Sequence, residues 1–380
     1  MPCFGVTGAK SCVSGENNVR LPTYDEVARV EEQLNVYEAP FNESLFVVGP
    51  PGSGKTVLAI HRAQMMASTD TTVVFVTYNR MLRRLTALLA ERQIQAKTMH
   101  KFMSDHYRAQ THCNPPASAP YSYDWDTISA KLEQLRIGPD SIHMVIDEGQ
   151  DLPQPFFRYV RKFVATHITV FADENQALDK EYSRLTDIKS AAGLDNPILL
   201  SGNHRNTPEI AHVAGHFHVG DIPMPEVHRK PSGELPRIVS YGTLGEAAER
   251  ISNWYLARGR RVGVVVMKNN TGLAVQEALQ SRVEGHRVDF YSSEMKNEDS
   301  IDLLGAGITV LNAKSVKGQE FDTVFVMEVN QFLQPADHSQ RVMYMLCSRA
   351  RDNLILMHEG NRLPDTLLAQ LPGRDFLERP

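Results

Sequence analysis

The residues Gly49-Pro50-Pro51-Gly52-Ser53-Gly54-Lys55-Thr56 fit the pattern G-x-x-x-x-G-K-[ST]. In that pattern the glycine loop turns backbone amides toward phosphates, the lysine reaches the β- and γ-phosphates, and the hydroxyl serves Mg²⁺. The bland alternative is an incidental glycine-rich turn. A second group, Met144-Val145-Ile146-Asp147-Glu148-Gly149-Gln150-Asp151, puts adjacent carboxylates at the end of an apolar run. Two such charges are costly there without a ligand. Asp147 suits a metal, and Glu148 suits polarising an attacking water. An acidic helix cap would give the same residues a purely structural role.

These groups need rigid elements to hold them. Leu45–Val48 is a short apolar, β-branched run directly before the glycine loop, and residues 57–66 have helical composition. Similar runs at 73–76, 144–146 and 168–171, and then at 198–200, 262–267, 308–311, 324–327 and 354–357, lack polar alternation. Such runs suit strands buried on both faces of a parallel sheet. The expected fold class is α/β, with one mainly parallel sheet per half. The polar stretch 174–197 ends in Gly193-Leu194-Asp195-Asn196-Pro197 and marks a boundary, giving domains 1–197 and 198–380.

Composition narrows the class of protein. The chain has 380 residues, 40 Lys+Arg against 45 Asp+Glu, and 42% hydrophobic residues. That excludes wholesale disorder and a strongly basic surface that gathers nucleic acid by charge alone. No apolar run reaches the ~18 residues of a membrane span, so no membrane partner is expected. The first residues lack the long apolar stretch of a signal peptide, and the cytoplasm is the expectation. Cys3, Cys12, Cys113 and Cys347 have no metal-finger spacing and read as free thiols.

With these two groups in place, the chain resembles superfamily 1 helicases of the UvrD/Rep/PcrA type over roughly residues 25–360. The glycine loop and Asp-Glu-x-Gln-Asp look like the first two family motifs. Gln33 stands near the family's adenine-reading glutamine. Thr77-Tyr78-Asn79 and Thr98-Met99-His100-Lys101-Phe102 resemble the DNA-facing motifs. Ala172-Asp173-Glu174-Asn175-Gln176 is similar to the motif whose Gln senses the γ-phosphate. Gly202-Asn203-His204-Arg205-Asn206 resembles N-Y-R-S, and residues 314–322 resemble S-x-K-G-x-E-F-D, whose Glu320 would contact the ribose. Residues 341–350 resemble R-x-x-Y-x-x-x-[ST]-R-A.

The resemblance implies two RecA-like P-loop NTPase domains and an ATP site between them. Glu148, Lys55, Arg205, Arg349 and Gln176 would be catalytic. Gln33, Gly49, Gly52, Ser53, Gly54, Lys55, Thr56, His204 and Glu320 would bind ATP, with Thr56 and Asp147 on Mg²⁺. Thr77, Asn79, Thr98, His100 and Phe102 would face nucleic acid. For Thr77, Asn79, Thr98 and His100 local capping is the competing reading, and for Phe102 a place in the core. Arg205 and Arg349, taken singly, would be surface arginines.

Three departures matter. The intervals 103–142 and 207–308 are too short for the family's large accessory subdomains, which leaves a stripped two-core motor with a small helical insertion near 103–142 holding Tyr121, Tyr123 and Trp125. The segment after Gln176 contains Tyr182 but no tryptophan on which bases would stack. His204 replaces a tyrosine, and Lys314 replaces a histidine common in the family.

His212 and His216, at i and i+4, have metal-ligand spacing but no accompanying carboxylate, so a packed or solvated helix is the preferred reading. Arg80, Arg83 and Arg84, and Arg158, Arg161 and Lys162, are basic clusters that either touch phosphate or solvate a face. Two functions follow from different classes. One is an ATP-driven, single-stranded-DNA-stimulated translocase or helicase moving 3′ to 5′. The other is an ATP-gated sensing or regulatory subunit of a nuclease, DNA-repair or phage-defence assembly.

Overall fold

The computed structural model describes residues 20–69, 71–90, 94–173, 183–219, 223–295 and 297–379. The first sheet is built from Leu45–Val48 (β1), Thr72–Thr77 (β2) and Gln95–Thr98 (β3). A hairpin of Ala117–Ala119 (β4) and Ser122–Tyr123 (β5) lies outside it. Asp140–Ile146 (β6), Ala165–Ala172 (β7) and Ile198–Leu199 (β8) complete it, in the order β3-β2-β6-β7-β1-β8. Every pairing in this sheet is parallel. β6 and β7 have interiors buried on both faces, which is why their sequences read as unbroken apolar runs.

Gly202–Asn203 (β9) and Glu226–Val227 (β10) form a two-stranded parallel pair beside the first sheet. The second sheet holds Arg237–Tyr241 (β11), Arg261–Val266 (β12), Val288–Tyr291 (β13), Gly307–Asn312 (β14), Phe321–Val326 (β15) and Ala350–Glu359 (β16). Its order is β11-β16-β15-β12-β14-β13, again with parallel pairings throughout. The protein is therefore α/β with two six-stranded parallel sheets, the architecture expected of two RecA-like domains.

Two sequence expectations need correction. Ile198 and Leu199 pair with Val47 and Val48, so this strand is an edge of the first sheet and not the opening of the second half. Its run of three apolar residues carries no information about which sheet it joins. The insertion near 103–142 is not purely helical: helices Met99–Thr111 and Trp125–Gln134 flank the β4–β5 hairpin.

The helix Arg80–Leu89 belongs in sequence to the first sheet, yet its apolar stripe faces the second. Met81 is buried in the second sheet's core, with Leu85 and Leu88 packed against it. The spacing i, i+4, i+7 places all three on one face. On the polar side, Arg83 donates to the Asp299 carboxylate at 3.0 Å and Arg84 to its carbonyl at 3.3 Å. Two of this cluster's three arginines, Arg83 and Arg84, thus tie the two bodies together. In the other cluster Lys162 pairs with Glu133, and Arg161 donates to the Thr166 carbonyl at 2.7 Å. No helix of the described residues is long and apolar enough to cross a membrane.

Candidate active site

The loop 49–54 leaves β1 at its C-terminal end and delivers the chain to the helix Lys55–Ser68. Gly54 holds φ 90° at the N-cap, and no side chain caps the helix, so its first amides face outward as an anion site. Gly52 holds φ 84°, and a Cβ there would lie 2.4 Å from the Asn203 Oδ1. Ser53 stabilises the turn by donating its hydroxyl to the Pro50 carbonyl at 2.9 Å. The Gln33 amide donates to the Ser53 carbonyl at 3.0 Å. Lys55, almost wholly buried, donates to the carbonyls of Gly49 at 2.6 Å and Pro50 at 2.8 Å and lies 3.4 Å from Asp173. Asp173, quoted in the sequence only as part of a motif, is thus a partner of the loop lysine.

β6 ends at Asp147 and Glu148, one strand removed from β1, with β7 between them. Glu148 has φ 55°, a left-handed conformation rare for a glutamate. Asp147 accepts the Glu148 amide on Oδ1 at 3.0 Å and lies beside the Thr56 hydroxyl, while its buried Oδ2 has no partner. Burial first, and the Glu148 charge second, push its carboxyl up to about 7. An orphaned carboxylate oxygen beside a threonine hydroxyl is a donor pair that fits Mg²⁺.

Burial pushes the Glu148 carboxyl up, but the charges of Lys317, Lys55 and Arg349 outweigh it and hold the group below its ordinary range. It is therefore ionised at neutral pH and able to accept a proton. Gln150 donates to Glu148 through Nε2 and accepts the Asp173 amide on Oε1 at 2.9 Å. Gln150, quoted above only inside the Asp-Glu-x-Gln-Asp motif, is the brace that aligns Glu148 with the end of β7.

From the other side, Arg205 donates through Nε to Glu320 at 2.7 Å, and its buried Nη1 has no partner. That unpaired donor suits an anion. The Glu320 carboxyl is raised by burial but lowered further by Arg205 and Arg261, leaving it below its usual range. Arg349 is 1% exposed and donates to the Met345 carbonyl at 3.0 Å. Burial and the nearby Arg205 lower it to about 10, so it stays protonated at neutral pH. His204 donates its backbone amide to the Gly52 carbonyl at 2.9 Å, clasping the glycine loop. Its ring stacks on His228, with centroids 4.6 Å apart and planes 11° from parallel. Burial, then His228, lowers its pKa, so the ring is neutral.

One cavity of about 360 Å³ is lined by Gln33, Gly52, Gly54, Lys55, Thr56, Glu148, His204, Arg205, Glu320 and Arg349. Groups from both sheets thus meet at one space. Gln176 lies outside the described residues, as do Tyr182, Cys3 and Cys12. Cys113 and Cys347 are free thiols.

The residues expected to face nucleic acid are mostly occupied elsewhere. Asn79 caps the helix Arg80–Leu89, accepting the Met81 amide at 2.7 Å, and donates to the Lys317 carbonyl at 2.8 Å. Thr98 caps the helix Met99–Thr111. Phe102 is buried against Phe156 and His106, and Thr77 is fully buried. His100 is half-buried among Tyr78, Tyr121 and Tyr123. Caps and DNA-facing polar residues share the same residue types, so sequence alone left both readings standing.

His212 stacks on Phe376 at 3.6 Å and His216 lies 3.0 Å from the Gln370 carbonyl. These rings serve packing, and no cluster of three or more His, Cys, Asp or Glu that could hold a metal occurs among the described residues.

The AAA domain family matches residues 33–180 of the chain, the stretch that carries the glycine loop and β6. Among solved structures, the chain is similar to the C-terminal domain of a possible DNA helicase from Lactobacillus plantarum WCFS1. The identity is 22% over 47% of this chain and 99% of that one, with a TM-score of 0.36. No curated protein matches the chain.

Proposed function

We propose that the chain is a Mg²⁺-dependent ATPase of superfamily 1 type whose cycle is coupled to single-stranded DNA, acting as a 3′ to 5′ translocase or helicase in the cytoplasm. The observation that carries this reading is the cavity shared by Lys55 and Glu148 on one side and Arg205, Glu320 and Arg349 on the other. The uncapped helix N-terminus and Lys55 hold the phosphates. Thr56 and Asp147 hold Mg²⁺, which supplies charge neutralisation on the phosphate oxygens. Glu148, ionised and braced by Gln150, orients water and takes its proton. Arg205 and Arg349 face the charge that develops on the γ-phosphoryl oxygens, a role contributing about 10³-fold or more. Gln33 and the neutral His204 ring bracket the adenine, and Glu320, released from Arg205, meets the ribose.

A second reading has its own support. Asn79, Thr98, Thr77 and Phe102 are spent on caps and core, which favours an ATP-gated regulatory subunit acting on a partner such as a nuclease. Steady-state ATP hydrolysis with and without single-stranded DNA separates the two. Stimulation that Glu148→Gln abolishes is the expected result. Hydrolysis indifferent to DNA overturns the motor reading in favour of the regulatory one.

A further inference from the structure

Arg205 and Arg349 both line the cavity, yet neither lies in a helix or a strand. Arg205 follows β9, a strand of two residues, and Arg349 stands in the turn between the helix Asp337–Cys347 and β16. No ladder of backbone hydrogen bonds fixes either position. Other groups must therefore hold the two guanidinium groups in register on one phosphate.

Two side chains do so. Asn206, 1% exposed, donates through Nδ2 to the carbonyls of Ser348 at 3.2 Å and of Ala350, the residues on either side of Arg349. Its Oδ1 accepts the Asn203 side-chain amide at 2.9 Å, and the Asn203 Oδ1 accepts the backbone amides of Arg205 at 3.0 Å and Asn206 at 3.1 Å. The second side chain is Arg229. Its Nη1 donates to the Arg205 carbonyl at 2.8 Å and to the Arg351 carbonyl at 2.7 Å, while Nη2 donates to Asp352 at 2.7 Å. Two hydrogens on one nitrogen of a planar, rigid group fix the spacing between those two carbonyls. The pairing of β10 with β9, extended by the His228 amide on the Asn203 carbonyl at 3.0 Å, delivers Arg229 to this place. Arg260 holds the other Asp352 oxygen at 3.0 Å, so the far end of the fork is anchored too.

We propose that Arg229 is a positioning residue for hydrolysis, its fork riveting the segment that carries Arg205 to the segment that carries Arg349. This rests on the ATPase reading above. Arg229 lies outside the cavity lining, so it acts through the two carbonyls and not by touching nucleotide. A shift of about 1 Å at a reacting centre can lower the rate by about 10²-fold. A lysine ammonium at the same place keeps the charge but lacks the fork that spans both carbonyls and Asp352.

The test is ATP turnover and binding of a fluorescent ATP analogue by the full chain. The proteins compared are the parent, Arg229→Gln, Arg229→Lys, Arg205→Lys, the double variant of Arg229→Gln with Arg205→Lys, and Arg258→Gln. Arg258 is the control, because it donates to Glu234 and Asn353 and to neither arginine segment. Arg229→Gln should lower kcat by about 10-fold or more, with nucleotide affinity within about 2-fold of the parent. Arg258→Gln should keep the parent's kcat. In the double variant the loss should fall well short of the product of the two single losses, since Arg229 acts through a finger already impaired. If Arg229→Gln does not fold, Arg229→Lys carries the same comparison. A parent-like kcat in the folded Arg229 variants, losses that multiply in full, or an equal loss in Arg258→Gln overturns the rivet and leaves the ATPase reading standing. If the parent hydrolyses no ATP, the ATPase reading falls and the rivet falls with it.

Discussion

Lys317, from the turn before β15, places its ammonium on Asp151, three residues past Glu148 on the other sheet. Burial pushes the Asp151 carboxyl up to about 7, and Lys317 opposes that rise. The same ammonium is the leading charge that keeps Glu148 ionised. Lys317→Met should therefore cost about 3 kcal/mol of stability, since it strips a buried pair of one member. It should also move the acidic limb of the kcat profile to higher pH. Thermal unfolding and a pH–rate series check both; an unmoved limb would show that Lys317 does not act on Glu148.

Gly52 has no room for a side chain. Gly52→Ala adds a Cβ 2.4 Å from Asn203 and imposes a strained φ of 84°. Nucleotide affinity should fall by about 10-fold or more while the circular dichroism spectrum is kept, as titration with a fluorescent ATP analogue would register. Retained affinity would mean that the loop relaxes freely when it binds.

Arg349 keeps its charge in a fully buried setting. Arg349→Lys retains the charge but loses the planar fork, so kcat should drop by about 10²- to 10³-fold with nucleotide affinity nearly unchanged. Single-turnover and equilibrium binding measurements separate the two effects. A parallel loss of affinity would instead make Arg349 a ground-state binding group.

His143 in β6 donates through Nδ1 to the Phe41 carbonyl at 3.0 Å and accepts the Thr169 hydroxyl on Nε2 at 2.8 Å. Burial is the main cause that holds its pKa at about 4. Above pH ~6.5 the ring is neutral in folded and unfolded chains alike, and its contribution is constant. As pH falls from there toward 4, the unfolded ring gains a proton that the folded ring refuses, so stability is lost by up to about 3 kcal/mol. Urea unfolding of the parent and His143→Gln at pH 7 and pH 5 should show a smaller loss in the variant. Equal losses would place the acid sensitivity elsewhere.

Much of this was legible because the glycine loop and the Asp147-Glu148 pair lie in contiguous segments whose spacing is the signal. The β-branched runs likewise announced both parallel sheets. What stayed hidden was long-range. Lys317 gave no hint of Asp151 on the opposite sheet, and β3, a half-exposed edge strand with the polar sequence Gln95-Ala96-Lys97-Thr98, has none of the apolar run that marks its neighbours. Asn79 and Thr98 carry the same chemistry whether they cap a helix or meet a phosphate. Only the coordinates of the neighbouring amides distinguish the two.

The division of the cavity between two bodies has one more consequence. Lys55 and Glu148 stand on one side, Arg205, Glu320 and Arg349 on the other, and the contacts from Asn79 and Asp151 to Lys317 lie between. Such a site works as a clutch: turnover engages only when both plates meet. A chain severed between the sheets should regain hydrolysis on mixing its halves, making the reaction a gauge of how firmly they are pressed together.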